Sequence, residues 1–340
     1  MTVQYRKLGN SGLRVSVPIL GCMSFGSPEW APWVLGRDDA LPVFKRAYDL
    51  GITTWDTANM YSNGESERII AAAIKEYKIP RDEIIIMTKC YNPVNKKGTA
   101  RVEGNVFHNR QYLNQVGLSR AAIFNQVNDS LERLQTDYID VLQIHRTDKS
   151  VEPEEIMEAL NDLVRSGKVR YIGASSMWAY EFAQLQHIAE KRGWAKFISM
   201  QNCYNLIYRE EEREMNPFCN LTGVGLIPWS PLARGHLARP LDATSVRKGF
   251  ITNNPINEQA TEPAVQEIIR RVEKLANEKG WKMADVALAW VSEKVSSPIV
   301  GVNSVARLEE IVATNGKTLT AEEIKFLEEP YVPRRVVGHV

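Results

Sequence analysis

Short apolar runs alternate with segments of helical periodicity along most of the chain. Runs rich in β-branched residues, such as 84–89 and 138–144, predict strands that are apolar on both faces. Between these runs, apolar residues recur every three or four positions, as in 38–50 and 153–166, which predicts amphipathic helices. Strands buried on both faces and joined by helices indicate an α/β protein with a parallel sheet.

The predicted elements follow a repeating strand–helix order. Strands are predicted at 19–21, 52–56, 84–89, 138–144, 169–175, 197–201, 224–229 and 297–301. Helices are predicted at 38–50, 66–77, after the cap Ser119, and at 153–166, 179–191, 210–219, 263–279, 283–292, 306–313 and 321–328. Eight such units predict a (β/α)8 TIM barrel. A doubly wound sheet is the alternative, but the 21–26 turn, GCMSFG, lacks its usual G-x-G-x-x-G pattern.

Segments outside the repeat add a hairpin and long loops. Residues 5–8 and 13–17 flank a Gly-Asn-Ser-Gly turn, which predicts an N-terminal β-hairpin. Polar stretches at 91–117 and 230–261 follow two of the strands, and loops this long usually serve function, so 92–117 is a candidate lid. Since no repeat or boundary interrupts the pattern, we predict one domain over residues 1–340.

Composition narrows the range of partners. Lys and Arg total 42 against 41 Asp and Glu. The resulting net charge of +1 provides no overall electrostatic attraction to nucleic acid or to an anionic membrane. No apolar run reaches the roughly 18 residues of a membrane span, and no apolar N-terminal segment indicates secretion. Four scattered cysteines predict free thiols, and five histidines without ligand spacing predict no metal. We therefore expect a cytoplasmic protein.

Polar side chains close three successive predicted strands. Asp56, Lys89 and His145 stand at these strand ends, and Tyr61 lies in the loop after Asp56. Each residue has an ordinary structural explanation by itself, as a turn acid, a surface lysine, a core histidine or a loop aromatic. The carboxyl ends of barrel strands share one rim, so the four side chains are expected to converge there as a catalytic site.

The chemistry of this set fits reduction of a carbonyl group. A phenol has a pKa of about 10, and an adjacent Lys89 ammonium is expected to lower it. Asp56 can hold Lys89 charged, neutral His145 can orient the carbonyl oxygen, and Tyr61 can donate the proton. Because no side chain supplies a hydride, a cofactor has to carry it.

Sequence motifs strengthen this interpretation. The segments WDTANMYSNGESE, IIIMTKC, YIDVLQIHR, YIGASS, QNCYN and PWSPLARG resemble the aldo-keto reductase superfamily. The segments DTANMYSNGESE and GASSMWA resemble its fungal and bacterial branch of aryl-alcohol dehydrogenases and versiconal hemiacetal acetate reductases. The resemblance implies a (β/α)8 barrel that uses NADPH to reduce aldehydes or ketones. It also implies Tyr61 as proton donor, with Asp56, Lys89 and His145 as its partners.

The resemblance also implies residues for NADP(H). These are Ser175 and Gln201 at the carboxamide, Trp229 against the nicotinamide ring, Ser230, Leu232, Arg234 and Gly235 near the pyrophosphate, and Gly301, Asn303, Ser304, Arg307 and Glu310 around the adenosine phosphate. The residues themselves agree, because a loop that opens a helix favours an anion and Arg307 suits a phosphate. The chain departs from the pattern at Ile311, where many members have an Asn beside the adenine-binding Glu.

Aromatic residues near the predicted rim suggest the substrate. Trp30, Trp33, Tyr91 and Trp178 are candidate walls, together with Phe25, Met60 and Tyr204. Such a pocket favours a small aromatic or apolar carbonyl compound, although some of these residues could instead belong to the core.

Other functions remain open at this level. A redox-sensing subunit like the β-subunits of potassium channels would keep the cofactor and the four polar residues but turn over little. A metal-dependent barrel hydrolase is disfavoured by the missing ligand clusters. The oligomeric state is not predicted. Cys90, beside Lys89, is a candidate reactive thiol, with simple space filling as the alternative.

Overall fold

Eight parallel strands form one sheet in the computed structural model, which describes residues 3–96, 98, 102, 106–243 and 261–339. An antiparallel hairpin of β1 (Gln4–Lys7) and β2 (Arg14–Val17) precedes them. The sheet strands are β3 (Ile19–Gly21), β4 (Thr54–Asp56), β5 (Ile85–Cys90), β6 (Ile139–Ile144), β7 (Val169–Ser175), β8 (Phe197–Gln201), β9 (Gly225–Leu226) and β10 (Ile299–Gly301). They lie in the order β10-β3-β4-β5-β6-β7-β8-β9.

Backbone hydrogen bonds join the two ends of this sheet. The Ile299 N–H donates to the Pro228 carbonyl at 3.0 Å, and the Ser296 N–H donates to the Leu226 carbonyl at 3.0 Å. The last strand pair is therefore bridged although β9 is only two residues long. The predicted (β/α)8 barrel with an N-terminal hairpin is confirmed.

Helices cover the outside of the barrel. They are α1 (Arg37–Asp49), α2 (Glu65–Tyr77), α3 (Arg120–Leu134), α4 (Pro153–Arg165), α5 (Ala179–Arg192), α6 (Met215–Thr222), α7 (Pro263–Lys279), α8 (Met283–Lys294), α9 (Val305–Val312) and α10 (Ala321–Glu328). Their apolar faces and the outward-facing strand residues form the larger hydrophobic core. No helix within the described ranges is long and apolar enough to span a bilayer.

The predicted helix at 210–219 is wrong in its first half. The structure has a single 3-10 turn at Glu210–Glu212, and α6 begins only at Met215. Pro217 explains the start, because proline is tolerated in the first turn of a helix but breaks its interior. The two buried carboxylates in the turn also accept tertiary hydrogen bonds, from Tyr331 to Glu210 and from Asn202 to Glu211.

A second apolar cluster fills the inside of the barrel and leaves one rim for chemistry. Leu8 and Val15 of the hairpin segment pack with Ile19 and Ile299, which begin β3 and β10. The hairpin therefore covers the end of the barrel where the strands start. The opposite rim, where the strands end, carries the predicted catalytic residues.

Candidate active site

The strand ends bring Asp56 and Lys89 into direct contact. Asp56 closes β4, and Lys89 is the penultimate residue of β5. Lys89 Nζ donates to Asp56 Oδ1 at 2.5 Å and to the Thr57 carbonyl at 2.7 Å. Both side chains are buried, at 3% and 1% exposure, so each charge requires the other.

Tyr61 and His145 complete the cluster. Lys89 Nζ lies 5.1 Å from the centroid of the Tyr61 ring. That ring meets the His145 imidazole edge-on, with the centroids 6.1 Å apart. All four residues predicted as catalytic are thus grouped at one rim.

Burial dominates the protonation of this cluster. It raises the pKa of Tyr61 and outweighs the lowering effect of Lys89, so the phenol is a weaker acid than usual. The expected net lowering of the Tyr61 pKa is therefore wrong, although Lys89 acts in the expected direction. Burial disfavours the Lys89 ammonium, but Asp56 and Tyr61 together hold the pKa of Lys89 above its ordinary value.

His145 is a neutral imidazole with an amide partner. Burial, followed by the charges of Lys89 and Arg146, lowers the pKa of His145 well below its usual range. Asn92 Nδ2 lies 3.2 Å from His145 Nδ1. Sequence reasoning assigned no role to Asn92 or Arg146, since both stand in segments where polar residues are common.

Two glutamine amides occupy the second oxygen of Asp56. Gln143 Nε2 donates to Asp56 Oδ2 at 2.8 Å, and Gln201 Nε2 donates to the same oxygen at 2.9 Å. Gln143 was missed, although it is two residues before His145 and so faces the same side of β6. Gly173 makes room for it, because a Cβ there would lie 3.1 Å from Gln143 Cγ and 2.4 Å from Ser199 Oγ.

The residues implied for nicotinamide lie on neighbouring strands. Ser175 ends β7, and its hydroxyl donates to the carbonyl of Gln201, the last residue of β8, at 2.7 Å. Trp229 follows β9, and its indole N–H donates to Ser176 Oγ at 3.2 Å. The side-chain N–H groups of Gln201 bond Asp56 and Gln143. The side-chain oxygen, Oε1, is therefore the part of Gln201 left for a carboxamide.

The loop after β9 contains a left-handed turn. Ser230 has φ 54°, Arg234 φ 58° and Gly235 φ 99°, and Leu232 lies between Ser230 and Arg234. Arg234 Nε is sealed from solvent and has no hydrogen-bond partner among the described residues. Burial also lowers the pKa of the Arg234 guanidinium. An anion here would satisfy the orphaned donor, so this loop fits a pyrophosphate. Residues 244–260, in the rest of the 230–261 stretch, lie outside the described residues.

The segment after β10 has the features expected for a phosphate site. Gly301 ends the strand, and the Ser304 hydroxyl caps α9 by accepting from the Arg307 N–H at 3.3 Å. Arg307 Nη1 donates to Asn303 Oδ1 at 2.7 Å, and the guanidinium makes no ion pair within the described part of the chain. Glu310 instead pairs with Lys282 at 2.7 Å, so the predicted adenine residue already has a cationic partner.

The residues predicted to line the substrate pocket differ in their burial and in their packing partners. Trp30 and Trp33 pack edge-on at 6.3 Å in a small cluster that includes Met60. Tyr91 is partly buried at the start of the 92–117 loop, and Trp178 is 38% exposed.

Phe25 and Tyr204 are not wall residues. Phe25 packs on Phe44 in the core, and Tyr204 packs on Trp290. Both belong to the larger hydrophobic core between strands and helices, whereas Trp30, also buried, belongs to the small cluster, so the prediction is wrong for this pair. Their positions after strand ends did not reveal that the rings turn inward.

The candidate lid is attached at both ends. Near its start, the Asn95 N–H donates to Asn63 Oδ1 at 3.2 Å, and Asn63 Nδ2 donates to the Gly98 carbonyl at 3.2 Å. Near its end, Tyr112 and Val116 are buried. These ends pack as structure, whereas residues 97, 99–101 and 103–105 lie outside the described residues, so the lid stays a prediction.

A polar cavity of about 540 Å³ lies beside the Tyr61 turn. Its lining includes Asn63, Lys96 and Arg133 and none of the four grouped rim residues. Three cationic and three acidic side chains line it in equal number, namely Arg68, Lys96 and Arg133 with Glu65, Asp129 and Glu132. The cavity is therefore distinct from the cluster of Asp56, Tyr61, Lys89 and His145.

A C-terminal tail, residues 331–339, crosses the same rim. The Val337 N–H donates to the Tyr208 hydroxyl at 2.9 Å, and His339 Nε2 lies 3.1 Å from Glu211 Oε1. The His339 ring meets Trp178 edge-on at 4.7 Å. A Cβ added at Gly338 would lie 3.4 Å from Trp229 Cζ2, so the tail passes close to a residue implied for nicotinamide.

All four cysteines are free and buried. Burial raises the pKa of Cys90 to about 12, so its thiol stays protonated at neutral pH. The reactive-thiol hypothesis for Cys90 is wrong, because the side chain after Lys89 turns away into the core between strands and helices. Within the described residues, no three His, Cys, Asp or Glu side chains are grouped for a metal, and the prediction of no metal stays a prediction.

A barrel with this rim chemistry has a known family counterpart. A sequence-family model described as the aldo/keto reductase family matches residues 19–331. The chain belongs to the aldo/keto reductase family, which confirms the resemblance deduced from its motifs. Membership supports an oxidoreductase that acts with a nicotinamide cofactor.

Individual relatives cover nearly the whole chain. It is 55% identical to the aldo-keto reductase dtxS3 of Metarhizium robertsii, over 99% of this chain and 93% of that protein. It is 54% identical to versiconal hemiacetal acetate reductase of Aspergillus parasiticus, over 98% of each chain. It is 49% identical to AAD16 of Saccharomyces cerevisiae, named as an aryl-alcohol dehydrogenase, over 98% of each chain.

Proposed function

We propose that this protein is an NADP(H)-dependent oxidoreductase that reduces an aromatic or otherwise apolar aldehyde or ketone to an alcohol. The observation that carries the proposal is the grouping of Tyr61, Lys89, Asp56 and His145 at the open rim of the barrel. Titratable groups with shifted pKa values that meet at the carboxyl rim of a barrel are characteristic of an active site.

The side chains divide the proton chemistry among them. Tyr61 is protonated because burial raises its pKa, so it holds the proton until charge develops on the substrate oxygen. Lys89, kept charged by Asp56, stabilises the phenolate that remains after transfer. Neutral His145 can donate a hydrogen bond to the same oxygen and so orient the carbonyl group. Bound NADPH supplies the hydride.

A dinucleotide cofactor is supported by Arg234, and the preference for NADPH over NADH rests on Arg307. Arg234 has an orphaned buried Nε in the loop proposed for the pyrophosphate. Arg307 stands in the first turn of α9 and makes no described ion pair, which suits the adenosine 2′-phosphate. Ser175, Gln201 and Trp229 are proposed to hold the nicotinamide.

The substrate class rests on the rim aromatics and on the relatives. Trp30, Trp33, Tyr91 and Trp178 are proposed as walls, and apolar walls favour an apolar substrate. Relatives named for versiconal hemiacetal acetate and for aryl alcohols fit the same class. The net charge of +1 favours a small-molecule partner over nucleic acid, and we extend the proposal to one cytoplasmic domain.

A substrate panel tests the proposal. Purified protein is given NADPH or NADH with aromatic, aliphatic and quinonoid carbonyl compounds, and cofactor oxidation is followed. We expect turnover of aromatic aldehydes or ketones with NADPH, and weaker turnover with NADH. Tight NADPH binding with negligible turnover of every compound, together with a tetramer on gel filtration, would instead favour the channel-β-like binding subunit.

A further inference from the structure

We propose that Asn92 is a positioning residue that fixes the tautomer of His145, so that the ring proton sits on Nε2. The inference rests on the proposed function for its purpose, since the Nε2 proton would meet the carbonyl oxygen of the substrate. The tautomer itself is a property of the protein alone and can be measured without any turnover.

The contact between the two side chains sets the polarity. Asn92 Nδ2 lies 3.2 Å from His145 Nδ1. An amide nitrogen can only donate, so Nδ1 has to accept the hydrogen bond. A neutral imidazole carries one donor and one acceptor, and the remaining proton is therefore on Nε2.

Two further observations agree with this polarity. Burial, Lys89 and Arg146 keep His145 from gaining a second proton, which would place two donors face to face. His145 Nε2 makes no hydrogen bond within the described chain, and this atom is not sealed from solvent. This nitrogen is thus open to the rim, where a substrate oxygen would lie.

Asn92 is itself held by a network of amides from three segments. The backbone carbonyl oxygen of Asn92 accepts from Asn59 Nδ2 at 2.9 Å. Asn59 Nδ2 also donates to Gln126 Oε1 on α3 at 2.9 Å, and that oxygen accepts the Tyr91 N–H at 2.7 Å. Gln126 in turn donates to the Gly117 carbonyl at 3.0 Å. The backbone of Asn92 is therefore fixed relative to the loop that carries Tyr61.

This arrangement explains why an amide is needed at position 92. An aspartate has the same size but only accepts, so it would draw the proton to His145 Nδ1. Nε2 would then present a lone pair to the carbonyl oxygen, or the ring would become doubly protonated. A leucine keeps the volume but leaves Nδ1 without a partner, so neither tautomer is imposed.

The test is ¹⁵N NMR of histidine-labelled protein with Asn92→Asp and Asn92→Leu, with His145 assigned by the signal lost in His145→Asn. Asn128→Leu is the matched control, because Asn128 is an exposed amide on α3 that accepts from Lys168. We expect the Nε2–H tautomer in the parent and the control. We expect Nδ1–H or a doubly protonated ring in Asn92→Asp.

Kinetics supply the second measurement. For histidines that bind metals, loss of the outer hydrogen-bond partner costs about 10–100-fold, and we expect kcat to fall by a similar factor in both Asn92 variants. The Kd for NADPH should change by less than about twofold, because the amide does not reach the residues implied for the cofactor.

Either of two results would overturn the proposal: an Nδ1–H tautomer in the parent, or an unchanged tautomer and kcat in Asn92→Asp. Should Asn92→Leu fail to fold, the isosteric Asp variant still decides. If no carbonyl compound is reduced at all, the proposed function fails while the NMR result on Asn92 stands.

Discussion

Lys89 Nζ lies 2.5 Å from Asp56 Oδ1, with both side chains withdrawn from solvent. The pair places a permanent positive charge 5.1 Å from the centre of the Tyr61 ring. That charge lowers the pKa of Tyr61 but does not overcome burial. The proposed proton donor is thus held protonated, and we expect it to release its proton only toward a growing negative charge.

Removing the phenol hydroxyl should stop chemistry and spare binding. We expect Tyr61→Phe to lower kcat by about 10²–10⁴-fold, the usual contribution of a general acid. The Kd for NADPH should stay within about twofold, since Tyr61 stands apart from the residues implied for the phosphates. Single-turnover kinetics and a fluorescence titration measure the two quantities. Retained turnover with weakened cofactor binding would contradict the assigned role.

The raised pKa of Tyr61 sets opposite pH profiles for the two directions of reaction. Reduction needs the phenol, so its kcat should hold through neutral pH and fall only above the ordinary tyrosine range, about pH 10. Alcohol oxidation needs the phenolate to accept a proton, so its kcat should rise as pH increases over the same range. Initial rates in both directions across pH provide the check, and loss of reduction near pH 7 would contradict it.

The 2′-phosphate assignment can be tested by cofactor discrimination. Arg307→Ala should weaken NADPH by about 10–150-fold, equivalent to about 1.5–3 kcal/mol for a charge-assisted hydrogen bond. NADH lacks the phosphate, and its Kd should hardly change. Arg46→Ala is the matched control, because Arg46 is an exposed arginine already paired with Glu309 on α9 at 2.8 Å. Equal weakening of both cofactors would move the phosphate site elsewhere.

A second buried ion pair supports the barrel behind the site. Arg133 Nε lies 2.6 Å from Glu67 Oε2, and the Thr88 hydroxyl donates to Glu67 Oε1 at 2.6 Å. Breaking such a pair leaves an unpaired buried charge, so Arg133→Met should lower the free energy of unfolding by about 3–5 kcal/mol. The double variant Glu67→Leu/Arg133→Met should lose less, because it leaves no charge.

Denaturant unfolding compares these variants with Arg120→Met, which breaks the exposed Arg120–Asp162 pair. In Arg120→Met, the free energy of unfolding should fall by no more than about 1 kcal/mol. Equal losses from Arg133→Met and Arg120→Met would show that the Glu67–Arg133 pair does not stabilise the fold.

Periodicity and strand ends were enough to predict the barrel and to bring Asp56, Lys89 and His145 to one rim. The reason is that a parallel barrel fixes the direction of every strand end. The same logic failed for the first half of the predicted 210–219 helix, where Pro217 and buried carboxylates decide the local structure. Such tertiary contacts leave no trace in the spacing of apolar residues.

The amide partners could not be predicted in the same way. Asn92 and Gln143 act through hydrogen bonds whose geometry depends on side chains from other strands. Gln143 could have been noticed as a polar residue facing inward on an apolar strand, whereas Asn92 stands in a polar loop where asparagine is ordinary. The inward turn of Phe25 and Tyr204 was equally invisible, because aromatic rings are common in cores and in pockets.

The tail that crosses the rim has an optical consequence. Two of the chain's eight tryptophans lie beside its last described residues: Trp178 packs on His339, and Trp229 lies next to Gly338. Indole emission depends on the polarity of its surroundings and on neighbouring rings, so both fluorophores register whether the tail is seated. Trp178→Phe and Trp229→Phe separate the two emissions. The molecule therefore contains an internal fluorescence reporter of tail position, which works without an added dye.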